Sequence, residues 1–269
     1  MQRLVNGEKQ KLSGEEVIIK IDGLEFGYRA VPILKGITID FDKPELISII
    51  GPNGVGKSTL IHCINKILKP NDGMVFINGI DVNNVDVKDL AKVMGYVPYT
   101  TVNTFPITVI DAVMMGRHPH SKIGSTDEDL RISYEMLEKL GIEELAMRSL
   151  NELSAGQLQK VVLAKGLAQK PKILLLDEPT SNLDVKHQIG VTKLLKKVAD
   201  EDGVIVVMIC HDLNVAAKFS DRIIMMSEGK VYAYGSAEEV ITRENICKVY
   251  DIDCEVIMDQ GRPHILLRD

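Results

Sequence analysis

Leu46-Ile47-Ser48-Ile49-Ile50 runs straight into Gly51-Pro52-Asn53-Gly54-Val55-Gly56-Lys57-Ser58, and Thr59-Leu60-Ile61 follows. The first five residues are short, continuous and rich in isoleucine, which predicts a strand buried on both faces. The next eight fit G-x-x-x-x-G-K-[ST], placed between that strand and a helix expected to open near Ser58. Glycines let the backbone turn so that successive N–H groups converge on phosphate oxygens. The helix N-terminus adds partial positive charge. Lys57 is placed to reach the outer phosphates, and the Ser58 hydroxyl to ligate Mg²⁺.

Outward from this loop, further strand-length apolar runs occur at Val75–Ile77, Ile173–Leu176, Val204–Ile209 and Arg222–Met226. All read as strands covered on both faces. Lys230–Tyr234 alternates after the turn signal Glu228-Gly229. Helical stripes lie between them, at Leu60, Ile61, Ile64 and Leu68, and at Val191, Leu194, Leu195 and Val198. This alternation predicts an α/β domain around a mostly parallel sheet. From about Tyr99 to Lys170 the pattern turns helical, with helices expected over 127–140, ending at Gly141, and over 155–169, before Pro171. Ile173–Leu176 ends in Asp177-Glu178. A parallel strand would carry both carboxylates to the phosphate edge, Asp177 to hold Mg²⁺ and Glu178 to polarise water. Taken alone, the pair also fits a solvated turn before Pro179.

Composition narrows the rest. Of 269 residues, 45% are hydrophobic and 26% charged, which excludes disordered, collagenous and coiled-coil classes. A net charge of −6 argues against a dedicated nucleic-acid binder but leaves room for one local anion pocket. No apolar stretch approaches the ~20 residues that cross a bilayer. Residues 1–16 are polar and lack the apolar core of a secretory signal. Cys63, Cys210, Cys247 and Cys254 form no CxxC pair and read as free thiols in a reducing cytoplasm.

Three more segments complete a pattern. Leu153-Ser154-Ala155-Gly156-Gln157 resembles the signature LSGGQ, Ser181-Asn182-Leu183-Asp184 resembles a D-loop, and His211 ends the strand 204–209 as a switch histidine does. Each has a plainer reading: Ser154 with Gln157 is also a capping box, Asp184 an N-cap, and His211-Asp212 a helix start. Together, and in this order from about Val17 to Tyr234, they resemble the ATP-binding subunits of ABC transporters. The resemblance implies a P-loop NTPase (RecA-like) core with a mainly parallel sheet, an N-terminal antiparallel β part and an inserted helical subdomain. It divides the chain into an extension (1–16), a nucleotide-binding domain (17–254, with the helical subdomain at about 99–170) and a tail (255–269).

The resemblance implies an ATPase using ATP and Mg²⁺. Residues 51–59 bind the phosphates, and Tyr28 stacks on adenine. Glu178 activates water, and His211 holds the γ-phosphate. Ser154, Ala155, Gly156 and Gln157 act from across a head-to-tail homodimer formed on ATP binding, and Asp184 couples the two sites. Tyr28 equally fits a half-buried tyrosine at a strand end. A GTPase reading lacks its NKxD motif, since Asn65-Lys66-Ile67-Leu68 has no aspartate. Two positions depart from the family. Tyr99 stands where a glutamine is expected after the strand containing Gly95-Tyr96-Val97, and Ala155 replaces a signature glycine.

Met115-Gly116-Arg117-His118-Pro119-His120 resembles a G-R-x-P-H stretch of ATPases serving iron-chelate (siderophore) and cobalamin importers. That resemblance implies a cytoplasmic subunit, peripheral on the inner face of the membrane. Its partners would be a transmembrane permease docked near 99–117 and, indirectly, a substrate-binding protein. The alternative is a soluble ABC ATPase serving a soluble partner, such as one in Fe–S cluster assembly. Only 97 residues separate Lys57 from Ser154, too few for the long coiled coils of DNA-repair relatives.

Overall fold

The structure, a computed structural model, describes residues 12, 17–29, 31–99, 106–121, 124–181 and 183–268. Most of the expected N-terminal extension, Asn182 and Asp269 lie outside the described residues.

β1 (Ile19–Tyr28) and β2 (Val31–Phe41) form a hairpin, and β3 (Leu46–Ile50) leads through the glycine loop into α1 (Lys57–Ile64). β4 (Asp72–Ile77), β5 (Ile80–Asp81), α2 (Val87–Val93) and β6 (Met94–Val97) come next. The helical segment holds α3 (Val109–Met114), α4 (Asp127–Leu140) and α5 (Ala155–Ala168). The chain then returns through β7 (Ile173–Leu176), α6 (Val185–Asp202), β8 (Ile205–Ile209), α7 (Leu213–Phe219), β9 (Arg222–Ser227) and β10 (Lys230–Gly235). It ends in α8 (Ala237–Val240), α9 (Arg243–Tyr250), β11 (Cys254–Asp259) and β12 (Arg262–Leu267).

Six strands make the central sheet in the order β10-β9-β3-β8-β7-β6, parallel throughout except at β10. Strand residues alternate between its faces, so the apolar runs feed two cores. Ile47, Ile49, Leu175, Val207 and Ile224 face one core with α1 and the antiparallel sheet β2-β1-β4-β5. Leu46, Ile50, Leu174, Leu176 and Val206 face the other, with helices α3, α5 and α6. Because β3, β6, β7 and β8 are parallel, their C-terminal ends share one edge. Two backbone bonds fix that edge, from Asp177 N–H to the Val97 carbonyl (2.9 Å) and from Cys210 N–H to the Ile49 carbonyl (3.0 Å).

Three expectations need correction. Val75–Ile77 is no strand of the parallel core. It belongs to β4 in the antiparallel sheet, where Val75 and Ile77 point inward and Phe76 is only partly covered. The helix expected to reach Leu68 stops at Ile64, because Lys66 turns left-handed (φ 58°); Leu68 still packs on the core from the following turn. The helix expected over 155–169 ends at Ala168, with Gln169 as its C-cap. Helix α4 spans the expected residues, with Thr126 and Asp129 closing a reciprocal cap and Gly141 ending it at φ 60°.

Beyond Gly235 the chain folds back onto the core. β11 and β12 pair as a hairpin, and the Asn214 side chain of α7 bonds the Ile265 backbone in both directions (2.8 and 3.2 Å). Ile246, Cys254 and Ile265 are buried there.

Candidate active site

Residues 51–56 curl between the end of β3 and the start of α1. Gly51 (φ 146°) lies so close to β9 that an added Cβ would sit 2.3 Å from the Met226 carbonyl oxygen. Gly56 (φ 103°) lies against β2, where a Cβ would approach the Leu34 side chain to 2.8 Å. Only glycine meets both demands, so the path of the loop backbone is fixed. Lys57 folds back over it, its Nζ donating to the carbonyls of Gly51 and Pro52 at 2.8 Å each. Burial pushes the Lys57 ammonium down from its ordinary value, and Glu178 and Asp177 draw it back up. Asn53 and Gly54 are exposed at the mouth, and Thr59 is buried beneath.

Three neighbouring strand ends complete the edge. From β7 comes Asp177, which accepts a 2.9 Å hydrogen bond from the Ser58 hydroxyl. Burial raises the Asp177 carboxyl, and the Ser58 bond lowers it part of the way back. A divalent cation answers that chemistry. The hydroxyl and the carboxylate are adjacent hard oxygen donors, and Mg²⁺ binds few protein groups beside phosphates and water. Glu178 follows at φ 51°, an unusual conformation for a non-glycine residue that turns its side chain toward β8. There its Oε1 lies 2.6 Å from His211 Nε2. A carboxylate and an imidazole so close can share the holding and moving of one water proton. From β6 the chain reaches Tyr99, an exposed phenol two residues past the strand.

Tyr28 stands at the tip of the β1–β2 hairpin, opposite Val31 and 52% exposed, its ring edge-on to Phe26 at 4.9 Å. The same hairpin presses Ile33 and Leu34 against Gly56, so Tyr28 and the phosphate cradle share one support.

Ser154, Ala155, Gly156 and Gln157 form the first turn of α5. Ser154 caps the helix, and its N–H bonds Gln157 Oε1 at 3.0 Å. Ser154 and Ala155 are exposed, so this helix start faces outward. A Cβ at Gly156 would sit 3.7 Å from Leu183 and 3.9 Å from the His187 ring, which places the turn beside the segment resembling a D-loop. Asp184 caps α6, accepting from the His187 N–H (2.9 Å), and its carboxylate pairs with His187 Nδ1 at 2.8 Å. Those bonds hold its carboxyl below the usual range. The capping readings of Ser154 and Asp184 therefore hold as local geometry.

Two residues escaped the sequence reading. His62 lies one helical turn past Ser58, its Nε2 2.9 Å from the Tyr96 hydroxyl and 3.9 Å from Asp177 Oδ2. Burial lifts the Tyr96 phenol to about 12, so it remains a neutral hydroxyl beside the carboxylate. The i, i+4 spacing from Ser58 was the available signal. Among the described residues no cluster of three or more His, Cys, Asp or Glu side chains is set to hold a metal unaided. His120 Nε2 meets the Gln169 carbonyl at 2.8 Å.

The family described as ABC transporter matches residues 34–181, the stretch from β2 through the cradle, the helical segment and β7. The chain belongs to the ABC transporter family. It is an ATP-binding subunit of this family and an ATPase. Among relatives of this ABC subunit, the iron(3+)-hydroxamate import ATP-binding protein FhuC of Bacillus subtilis is 39% identical over 90% of this chain and 90% of its own. A metal-chelate type ABC transporter solved in an inward-facing conformation superposes with TM-score 0.82 at 25% identity, over 94% of this chain and 98% of that one. The ABC transporter cassette MJ0796, solved as a dimer, superposes with TM-score 0.73 at 34% identity, over 81% and 98%.

Proposed function

We propose that this ABC subunit energises import of a metal chelate, such as an iron-siderophore or cobalamin, through a separate membrane permease, by closing and reopening as a head-to-tail homodimer around two ATP molecules. The observation that carries the hydrolytic part is the strand-end edge, where Ser58–Asp177 and Glu178–His211 stand as two bonded pairs beside the Lys57 cradle. The similarity to FhuC and to a metal-chelate type transporter supports the choice of cargo.

In this reading Lys57 leaves the loop carbonyls to meet the outer phosphates, while the loop N–H groups and the α1 N-terminus take the remaining oxygens. Tyr28 stacks on the adenine. Ser58 and Asp177 would hold Mg²⁺, which would supply positive charge against the phosphates. Glu178 accepts a proton from the attacking water, and His211 fixes that water and the γ-phosphate. The outward-facing start of α5 supplies Ser154 and Gly156 to the partner's nucleotide. Asp184, on the same face, couples the two sites.

A permease has a suitable seat on the helical segment. A groove of about 780 Å³ between α3, α4 and the turn at 143–147 has an apolar lining of Ile110, Leu130, Tyr134 and Met147 and an acidic rim. Met147 is 79% exposed at the groove's edge. No helix among the described residues is long and apolar enough to cross a membrane, and in this reading a separate permease supplies the channel.

The test is a detergent-solubilised pull-down with the full chain carrying Glu178→Gln and saturating ATP. Recovery of a polytopic membrane protein, with any metal chelate it carries, supports the importer. Recovery of soluble proteins alone retires it in favour of a soluble ATPase and leaves the ATP-site assignments standing.

A further inference from the structure

Helix α5 begins at the signature turn and ends at Ala168, where its last carbonyls need partners. They find them in the Gly116–His120 segment, which follows directly from α3. The Arg117 guanidinium donates to the Ala168 carbonyl at 2.7 Å, and His120 Nε2 meets the Gln169 carbonyl at 2.8 Å. Gly116 lies so near that a Cβ there would be 2.1 Å from the Lys165 carbonyl oxygen. Arg117 is itself fixed by Asp129, Nε to Oδ1 at 3.0 Å, with the pair only 7% and 5% exposed. Asp129 in turn closes the cap of α4 with Thr126. On its other side Gln169 donates to the carbonyls of Ala91 and Met94, at the entry to β6, the strand that leads to Tyr99.

One joint therefore gathers α3, α4, the C-terminal end of α5 and the first residue of a central-sheet strand. An Arg–Asp pair buried to this degree is a poor way to gain stability alone, since desolvation offsets most of its attraction. It is a good way to hold one geometry, because any displacement leaves a charge unpaired. Helix α5 is a rod about 20 Å long. A tilt of about 5° at the joint moves its Ser154 end by roughly 2 Å, enough to make or break phosphate hydrogen bonds.

We propose that Arg117, Asp129 and His120 are positioning residues that set the angle of α5, and so the placing of Ser154 and Gly156 against the partner's nucleotide, and that the joint carries motion of the α3–α4 face to the signature turn. The inference rests on the reading that the signature acts in trans.

The test uses the full chain with Glu178→Gln and measures ATP-dependent dimerisation by sedimentation, beside binding of a fluorescent ATP analogue to dilute monomer. His120→Ala removes one carbonyl bond from an exposed side chain. The double variant Arg117→Met, Asp129→Leu removes the ion pair without stranding a charge. Both are expected to weaken dimerisation about tenfold while monomer nucleotide affinity stays within about twofold. His120→Gln, which keeps a donor for the Gln169 carbonyl, is expected to restore it. In the Glu178 parent, kcat should fall with dimerisation and KM should not. Variants that lose melting temperature but dimerise as the parent does would make the joint purely structural and overturn the proposal. Should the Glu178→Gln chain itself fail to dimerise, with Ser154→Arg changing nothing, the trans reading falls and takes this inference with it.

Discussion

At the scale of single residues, the site consists of groups whose neighbours leave them one task each. His211 is held 2.6 Å from Glu178, so removing the imidazole frees the carboxylate without disturbing the cradle. His211→Ala should lower kcat by about 100-fold with the KM for ATP nearly unchanged, which steady-state hydrolysis assays will check. Tyr28 is 52% exposed at a hairpin tip and touches the core through one edge-on contact with Phe26, so its loss should cost nucleotide binding more than folding. Tyr28→Ala should weaken nucleotide binding by about 1–3 kcal/mol, Tyr28→Phe should keep it, and GTP should lose as much as ATP, because stacking reads no base edge. Titration calorimetry distinguishes these outcomes. That Gly51, Gly56, Lys57, Ser58, Asp177 and Glu178 meet at one sheet edge was legible, because the loop pattern and the acidic strand end both sit at the C-terminal ends of parallel strands. His62 and Tyr96 were not, since their meeting with Asp177 depends on how α1 lies across β6 and β7, which no local pattern records.

At the scale of elements, the joint at the end of α5 makes two measurable claims. Arg117 holds the Asp129 carboxyl down to about 2 from an ordinary value of 3.8. A carboxylate so depressed contributes its full stability above its ordinary value and loses it as pH falls through its folded one. The difference in unfolding free energy between the parent and Asp129→Asn should thus be constant above pH 5, and should shrink between about pH 4 and pH 2, in denaturant titrations. Gly116→Ala forces a methyl group onto a backbone carbonyl and should cost about 1–3 kcal/mol in the same assay. Element reading succeeded where the apolar runs were long and capped: α4 carried both a capping box and a terminal glycine, and β7 was buried on both faces. It failed at Val75–Ile77, because three apolar residues cannot distinguish a doubly covered strand from one whose alternate residues face inward. It overran α1 because Leu68 keeps helical spacing while Lys66 has already turned the backbone.

At the scale of the whole molecule, two apolar layers on either side of one sheet keep the antiparallel hairpin and the helical segment apart, and both reach the same edge. The overall class followed from alternating buried strands and helical stripes, whereas the folding back of residues 236–267 rests on contacts such as Asn214 with Ile265 that leave no periodic mark. The groove over Ile110, Tyr134 and Met147 lies away from the cradle, so binding and hydrolysis should separate by mutation. Met147→Glu is expected to leave ATP hydrolysis by the free chain unchanged and to abolish permease recovery in the pull-down, as an added charge meets an acidic rim and a dry contact. Parallel strands have a second consequence, a practical one. The N-terminal ends of β3, β7 and β8 gather the turns at Lys43, Lys172 and Gly203 on the side opposite the site, and Lys43 and Lys172 are exposed there. A dye or tether attached at Lys43 would ride on the back of the sheet. Pairs of labelled chains could then be watched approaching and parting, one molecule at a time, with the working face left bare.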